Sequence, residues 1–153
     1  MRNRNRLQIA QLDQKLQKFT QAQQLIPPDR GWIYAIRKAL NMTLAQLGTQ
    51  LGMTRQGVRG IEQSEASGSI SLNKLKEVAH AMDLELVYAL VPKDGSLDQL
   101  IDRKAQELAK RIVLRTHQNM ILEDQAIKNA QIKQAISELS EEIKREMRKS
   151  LWD

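Results

Sequence analysis

The chain has 153 residues and no cysteine, which excludes disulfides, thiolate metal sites and a thiol nucleophile. Its two histidines, His80 and His117, stand in separate segments with no HxxxH or HxH spacing, so nothing supports a zinc enzyme. The aromatic residues are Phe19, Trp32, Tyr34, Tyr88 and Trp152, only 3% of the chain. That is too few for a stacking platform on single-stranded nucleic acid. No apolar run approaches the roughly 20 residues that span a bilayer. The opening MRNRNRLQIAQLDQ has basic residues but no apolar stretch of signal-peptide length. Glu62, Glu65 and Glu77 lack an accompanying nucleophile–base set. The expectation is a soluble cytoplasmic protein that is neither an enzyme nor membrane-bound and needs no cofactor or metal.

What is present is an ordinary apolar content of 41%, enough for a core, and 24 basic against 18 acidic residues, a net charge of +6. Residues 1–30 carry six basic and two acidic residues, and residues 31–66 carry four and two. These two stretches account for the whole excess, and an excess of this sign points to an anionic partner such as nucleic acid. Glycine and proline mark the boundaries. Six of the seven glycines lie between positions 31 and 68, and the prolines are Pro27, Pro28 and Pro92. We therefore expect a helical N-terminal arm over 1–29, a compact module over 30–92 and a C-terminal helical region over 93–153.

In the arm, Ile9, Leu12, Leu16 and Phe19 recur at spacings of three and four and predict a helix. Pro27-Pro28 stops it, because proline lacks the amide donor and disfavours helix in the residue before it. Arg2, Arg4 and Arg6 form either a phosphate-reaching tail or a frayed one. The C-terminal region predicts two helices with a break near residues 122–125. Leu97, Leu100, Ile101, Ala105, Leu108, Ile112 and Val113 form one stripe, with Ser96 as N-cap. Ile132, Ile136, Leu139, Ile143, Met147 and Leu151 form the other, whose apolar face needs a partner.

Residues 43–62 read TLAQLGTQLGMTRQGVRGIE. Thr43 is a good N-cap for a helix ending near Leu51, Gly52 suits a left-handed turn, and Thr54 can cap a second helix to about Glu62. Leu47, Leu51, Met53, Val58 and Ile61 fit two helices crossing around a small core, with Gly48 at the closest approach. This is the helix-turn-helix pattern. Flanking helices over 31–40 (Ile33, Ile36 and Leu40 inward) and 71–82 (capped by Ser71; Leu75, Val78, Ala79 and Met82 inward) would close the core. Residues 84–92, LELVYALVP, alternate as a strand does, with Leu84, Leu86, Tyr88 and Leu90 on one face. No second strand is evident, so the simplest partner is the same strand of a second copy, making a homodimer; the alternative is a segment packed irregularly over its own helices.

The 31–82 stretch resembles the lambda-repressor and Cro-like family of helix-turn-helix regulators. The resemblance implies a mainly α fold: a four- or five-helix DNA-binding domain with one short β-strand and helical extensions at both ends. It implies a second helix lying in the major groove, with Arg55, Gln56 and Arg59 at base edges, where arginine suits guanine and glutamine suits adenine. Thr43, Thr54, Arg37, Lys38 and Lys74 would hold phosphates. Leu44 stands where relatives often have a backbone-touching glutamine. Gly57 and Gly60 inside the recognition helix are explained by a close approach, either to DNA or to the first helix of the motif. Glu65 is electrostatically unhelpful near DNA unless it points away.

Over nearly its whole length the chain is similar to the family called mobile mystery protein A. The similarity rests on PPDRGWIYAIRKALNMTLAQLG, QSEASGSISLNKLKEVAHAMDLELVYALVP, NMILEDQ and the final SLWD. Its members are encoded on mobile elements beside a Fic-domain protein. The resemblance implies a regulator paired with that Fic-domain protein; with the expected dimer, whose two recognition helices would read a palindromic operator in double-stranded DNA, the expectation is a repressor of its own operon, nucleoid-associated when bound. The resemblance also implies an alternative role as an antitoxin-like partner of the Fic-domain protein. Fic antitoxins elsewhere use an [ST]xxxE[GN] motif; residues 137–141 have the spacing, but Glu142 stands where Gly or Asn belongs.

Overall fold

The computed structural model describes residues 2–117 and 125–153. The described residues form seven α-helices: α1 (Arg2–Leu16), α2 (Trp32–Ala39), α3 (Leu44–Leu51), α4 (Arg55–Ser67), α5 (Leu72–Ala81), α6 (Leu97–His117) and α7 (Gln125–Glu146). Short 3-10 turns follow α1 and α7, at Gln17–Gln24 and Lys149–Trp152. The fold is thus mainly α, as expected. The chain divides into two compact units, one of residues 24–88 and one of residues 1–23 with 89–153.

The first unit is built from α2 to α5. Each helix contributes one apolar stripe to a core of Ile33, Leu47, Val58, Ile61, Val78 and Met82. Ile36, Leu44, Leu51, Met53, Ile70 and Leu75 pack around it, half-buried. Leu40 departs from the expected inward stripe and is 57% exposed. The reason is local: α2 ends at Ala39, Leu40 is its C-cap, and Asn41 turns the chain with φ 55°. Helix α4 runs past Glu62 to Ser67, where Gly68 closes it in the left-handed conformation, φ 81°.

The strand expected over 84–92 does not form in the single chain. After Leu84, whose N–H donates to Ala79, residues 85–91 make no backbone hydrogen bond among the described residues. Alternation fits a sequence for a ladder, but a ladder needs a second edge, and the described residues offer none.

The second unit has its own core of Ile101, Ala105, Ala109, Ile143 and Leu151. Helices α6 and α7 pack along each other, so the stripe of α7 finds its partner within the chain. Helix α1 joins them through Ile9 and through Asp13, whose carboxylate accepts the N–H groups of Leu97 at 2.6 Å and Asp98 at 3.2 Å. Ser96 caps the same helix end by accepting from Gln99. Leu12 of the expected α1 stripe is exposed. The stripe expected to run helically to Leu151 is interrupted at Met147, φ 51°, and the following 3-10 turn returns Leu151 to the core. The break expected near residues 122–125 lies outside the described residues, apart from Gln125, where α7 starts. Around the unit, cations lie against carboxylates. A hydrogen bond from Arg103 holds Asp94 below the usual carboxylate range, and Asp102 raises Lys144.

Leu47 and Val58 are fully buried, so truncation leaves a cavity in a small core. Leu47→Ala should lower unfolding free energy by about 2–5 kcal/mol in urea titration. Thr43→Ala, which removes a cap, should cost only about 1 kcal/mol.

Candidate nucleic-acid interface

The site is assembled by two capped helices and the turn between them. The Thr43 hydroxyl accepts from the Gln46 N–H at 3.1 Å, and the Gln46 side chain accepts from the Thr43 N–H at 2.8 Å. This reciprocal pair satisfies two otherwise orphaned donors at the start of α3. Gly52 ends α3 with φ 66°. Gly48 marks a close approach, though to the turn and not to the second helix: a Cβ there would stand 2.5 Å from the Met53 carbonyl oxygen. The Thr54 hydroxyl then accepts from the Gly57 N–H at 3.1 Å and starts α4. Because each threonine oxygen accepts, each hydroxyl keeps its own proton to donate elsewhere.

The faces of α4 are sharply divided. Val58, Ile61 and Glu62 are buried and Glu65 is half-buried, at helical spacings of three and four. Arg55, Gln56, Arg59, Gly60 and Gln63 are exposed. Arg55 and Arg59 have no acidic partner among the described residues. Both glutamates of the helix are used inside. Glu62 pairs with Arg37 of α2 through Nε and Nη2, and Arg37 Nη1 donates to the Met42 carbonyl at 2.9 Å. Glu65 accepts from the Ile33 N–H at 2.8 Å and serves as the missing cap of α2. A Cβ on Gly31 would stand 2.5 Å from that carboxylate and push it off the helix start, and the φ of 88° there favours glycine by itself.

Arg55, Gln56 and Arg59 are therefore brought together on one exposed surface. Thr43 and Thr54 stand at the helix starts, and Lys38 is exposed on α2. Lys74 is half-buried at the start of α5 and paired with Glu77 at 3.0 Å. Arg37 corrects the expectation of a phosphate contact. It is 6% exposed and its guanidinium is committed to Glu62 and Met42, so it positions α4. Two side chains were missed. Arg30 lies over the Tyr34 ring, 3.7 Å from its centroid, and lines a shallow pocket of about 100 Å³ with Arg59 and Gln63. The i, i+4 spacing of Arg30 and Tyr34 was its only sequence signal. Gln63 follows Arg59 by one helical turn, beyond where the helix was expected to end.

The two glycines of α4 differ from Gly48 and Gly31. A Cβ on Gly57 would make ordinary contacts at 3.5 Å with Met53 and Thr54, and one on Gly60 would meet nothing within 4 Å. Neither has a positive φ. A crowded first helix therefore explains neither, although each costs about 1 kcal/mol of helix stability relative to alanine.

Of the exposed segment, Leu84, Tyr88 and Leu90 are open to solvent and Leu86 is half-buried. A groove of about 370 Å³, lined by Trp32, Ile36, Leu75, Leu84 and Leu86 among others, runs beside it. Lys76 lies over the Tyr88 ring at 5.9 Å. Among the described residues no group of three potential ligands is placed to hold a metal ion, and no helix is long and apolar enough to cross a membrane.

Capped helix, glycine turn and second capped helix around a shared core define a helix-turn-helix domain, a DNA-binding domain of transcription regulators. Comparison with known families agrees: residues 33–88 match the helix-turn-helix family, of the lambda-repressor and Cro-like kind. No curated protein and no solved structure matches the chain.

Removing one member of a buried ion pair strands the other. Arg37→Ala should destabilise the protein by about 3–5 kcal/mol in urea titration. Lys38→Ala, one residue away on the exposed face, should stay within about 0.5 kcal/mol of the parent.

Proposed function

We propose that the protein is a homodimeric, sequence-specific reader of double-stranded DNA that represses its own operon from a palindromic operator. The observation that carries this reading is the exposed face of α4. It holds two arginines without acidic partners among the described residues, with Gln56 and Gln63, while both glutamates of the helix face inward. Such a face suits the donor and acceptor pattern of the major groove. Arg55, Gln56 and Arg59 would contact base edges. Thr43, Thr54, Lys38, Lys74 and Arg30, which the tyrosine ring holds in place, would fix the register on the phosphates. The domain belongs to a DNA-binding family, which supports the same reading.

Dimerisation would come from residues 84–91. Their backbone groups have no partner within the described chain, Tyr88 and Leu90 are 60% and 89% exposed, and an apolar groove lies alongside. Antiparallel pairing with a second copy would satisfy the ladder and place two recognition helices on successive half-sites.

A second reading rests on the resemblance to the mobile mystery protein A family, which includes segments outside the helix-turn-helix. There the chain would also bind a Fic-domain protein. Co-expression of the full chain with a Fic-domain protein encoded beside its gene tests this; failure to co-purify removes it.

For the main reading, gel shifts on the DNA upstream of its gene should show a discrete complex whose affinity falls steeply with salt. Arg55→Ala and Arg59→Ala should each weaken it by roughly 1–3 kcal/mol. Undiminished binding by the double variant would overturn the residue assignment. Light scattering should give a dimer for the parent and a monomer for Val87→Pro, which removes a ladder donor while circular dichroism stays helical. A monomeric parent at micromolar concentration would remove the dimer.

A further inference from the structure

Gly60 is placed in the middle of α4, where glycine weakens the helix, and nothing among the described residues calls for it. Its φ is not positive, its Cα faces solvent, and an added Cβ would have open space around it. Gly48 meets the Met53 carbonyl, Gly31 meets the Glu65 carboxylate, and Gly52, Gly68 and Gly95 have positive φ, while Gly57, the other glycine of α4, is half-buried with Met53 and Thr54 at 3.5 Å from where its Cβ would stand. Gly60 has none of these. It does have a distinctive setting. Gln56 lies one turn before it, Gln63 one turn after it, and Arg59 beside it, all exposed. This exposed glycine thus falls at the centre of the surface that carries the long polar side chains.

We propose that Gly60 is the point at which the backbone of α4 comes closest to the base-pair edges of double-stranded DNA. The missing side chain lets the helix settle deep enough for the flanking Gln56, Arg59 and Gln63 to reach base edges on both sides. This rests on the DNA-reading function proposed above. It makes Gly60 a specificity-determining position that acts by steric clearance: a side chain there would lift the helix and shorten the reach of its neighbours. The same clearance fits an apolar contact between the glycine Cα and a thymine methyl, which needs no hydrogen-bonding group.

Two measurements on the full-length protein test the idea. First, the parent selects duplexes from a randomised double-stranded pool. If no sequence is enriched, the DNA-reading function itself fails and the role of Gly60 falls with it. Second, the enriched duplex is titrated with the parent and with Gly60→Ala by fluorescence anisotropy, and both proteins are melted without DNA. The free variant should melt higher, by about 2–4 °C, because alanine favours the helix and meets no obstacle. Its affinity for the selected duplex should nevertheless fall at least tenfold. Gly57→Ala, at the edge of the helix, should shift the melting point in the same direction and change the affinity less than threefold. If Gly60→Ala binds the selected duplex as tightly as the parent, the proposal is overturned while the DNA-reading function stands. A lower melting point for Gly60→Ala would also overturn it, since the glycine would then serve the fold.

Discussion

The buried pair between Arg37 and Glu62 is the interaction on which the geometry of the interface depends. Its guanidinium meets α4 at Glu62 and the start of the α3 approach at the Met42 carbonyl, so one side chain ties three pieces of chain together. Burying two charges carries a desolvation penalty that a pair of apolar residues would not. Its contribution is orientation. The six buried apolar residues of this core would tolerate small rotations of α4 about its axis. A carboxylate with two hydrogen bonds to a fixed guanidinium tolerates far less. With Glu62 held inward, the 3.6-residue period of the helix sets Gln56, Arg59, Gly60 and Gln63 outward.

The same constraint sorts charge. Counted along the chain, α4 is neutral: two arginines and two glutamates. Counted by surface it is not, because Glu62 is neutralised by Arg37 and Glu65 is turned onto the α2 start. The outer face keeps both positive charges and sheds both negative ones. The acid that looked unfavourable beside DNA is therefore a structural cap, and Gly31 is the residue that makes room for it.

Most of the helix-turn-helix could be read from the sequence because its signals are local. Thr43, Thr54 and Ser71 cap within three residues, Gly52 turns where φ is positive, and the apolar stripes follow the helical period. What could not be read depends on distant partners. Arg37 looked like a free cation because Glu62 is 25 residues away, and Asp13 gave no sign that it would meet the start of α6. The alternation at residues 84–91 was read as a strand because period alone carries no information about a second edge. Leu40 continues the apolar stripe in the sequence but stands one residue beyond the helix that generates it.

The location of the net charge is a weaker guide than its pairing. In the second unit Lys144 lies against Asp98 and Asp102, Arg103 against Asp94 and Glu107, and Arg148 against Glu142 and Glu146. Each of these cations is screened by its own carboxylates and contributes little field to the surroundings. Arg55 and Arg59 belong to a unit with only a small basic excess, yet no carboxylate answers them among the described residues. An anion approaching α4 would displace water but break no ion pair. Among the described residues the core beneath this surface is built by α2 to α5 and the short segments that join them. What the unit offers an approaching anion is thus a small apolar core, one buried ion pair that sets the helix angle, and two arginines that no carboxylate answers among the described residues.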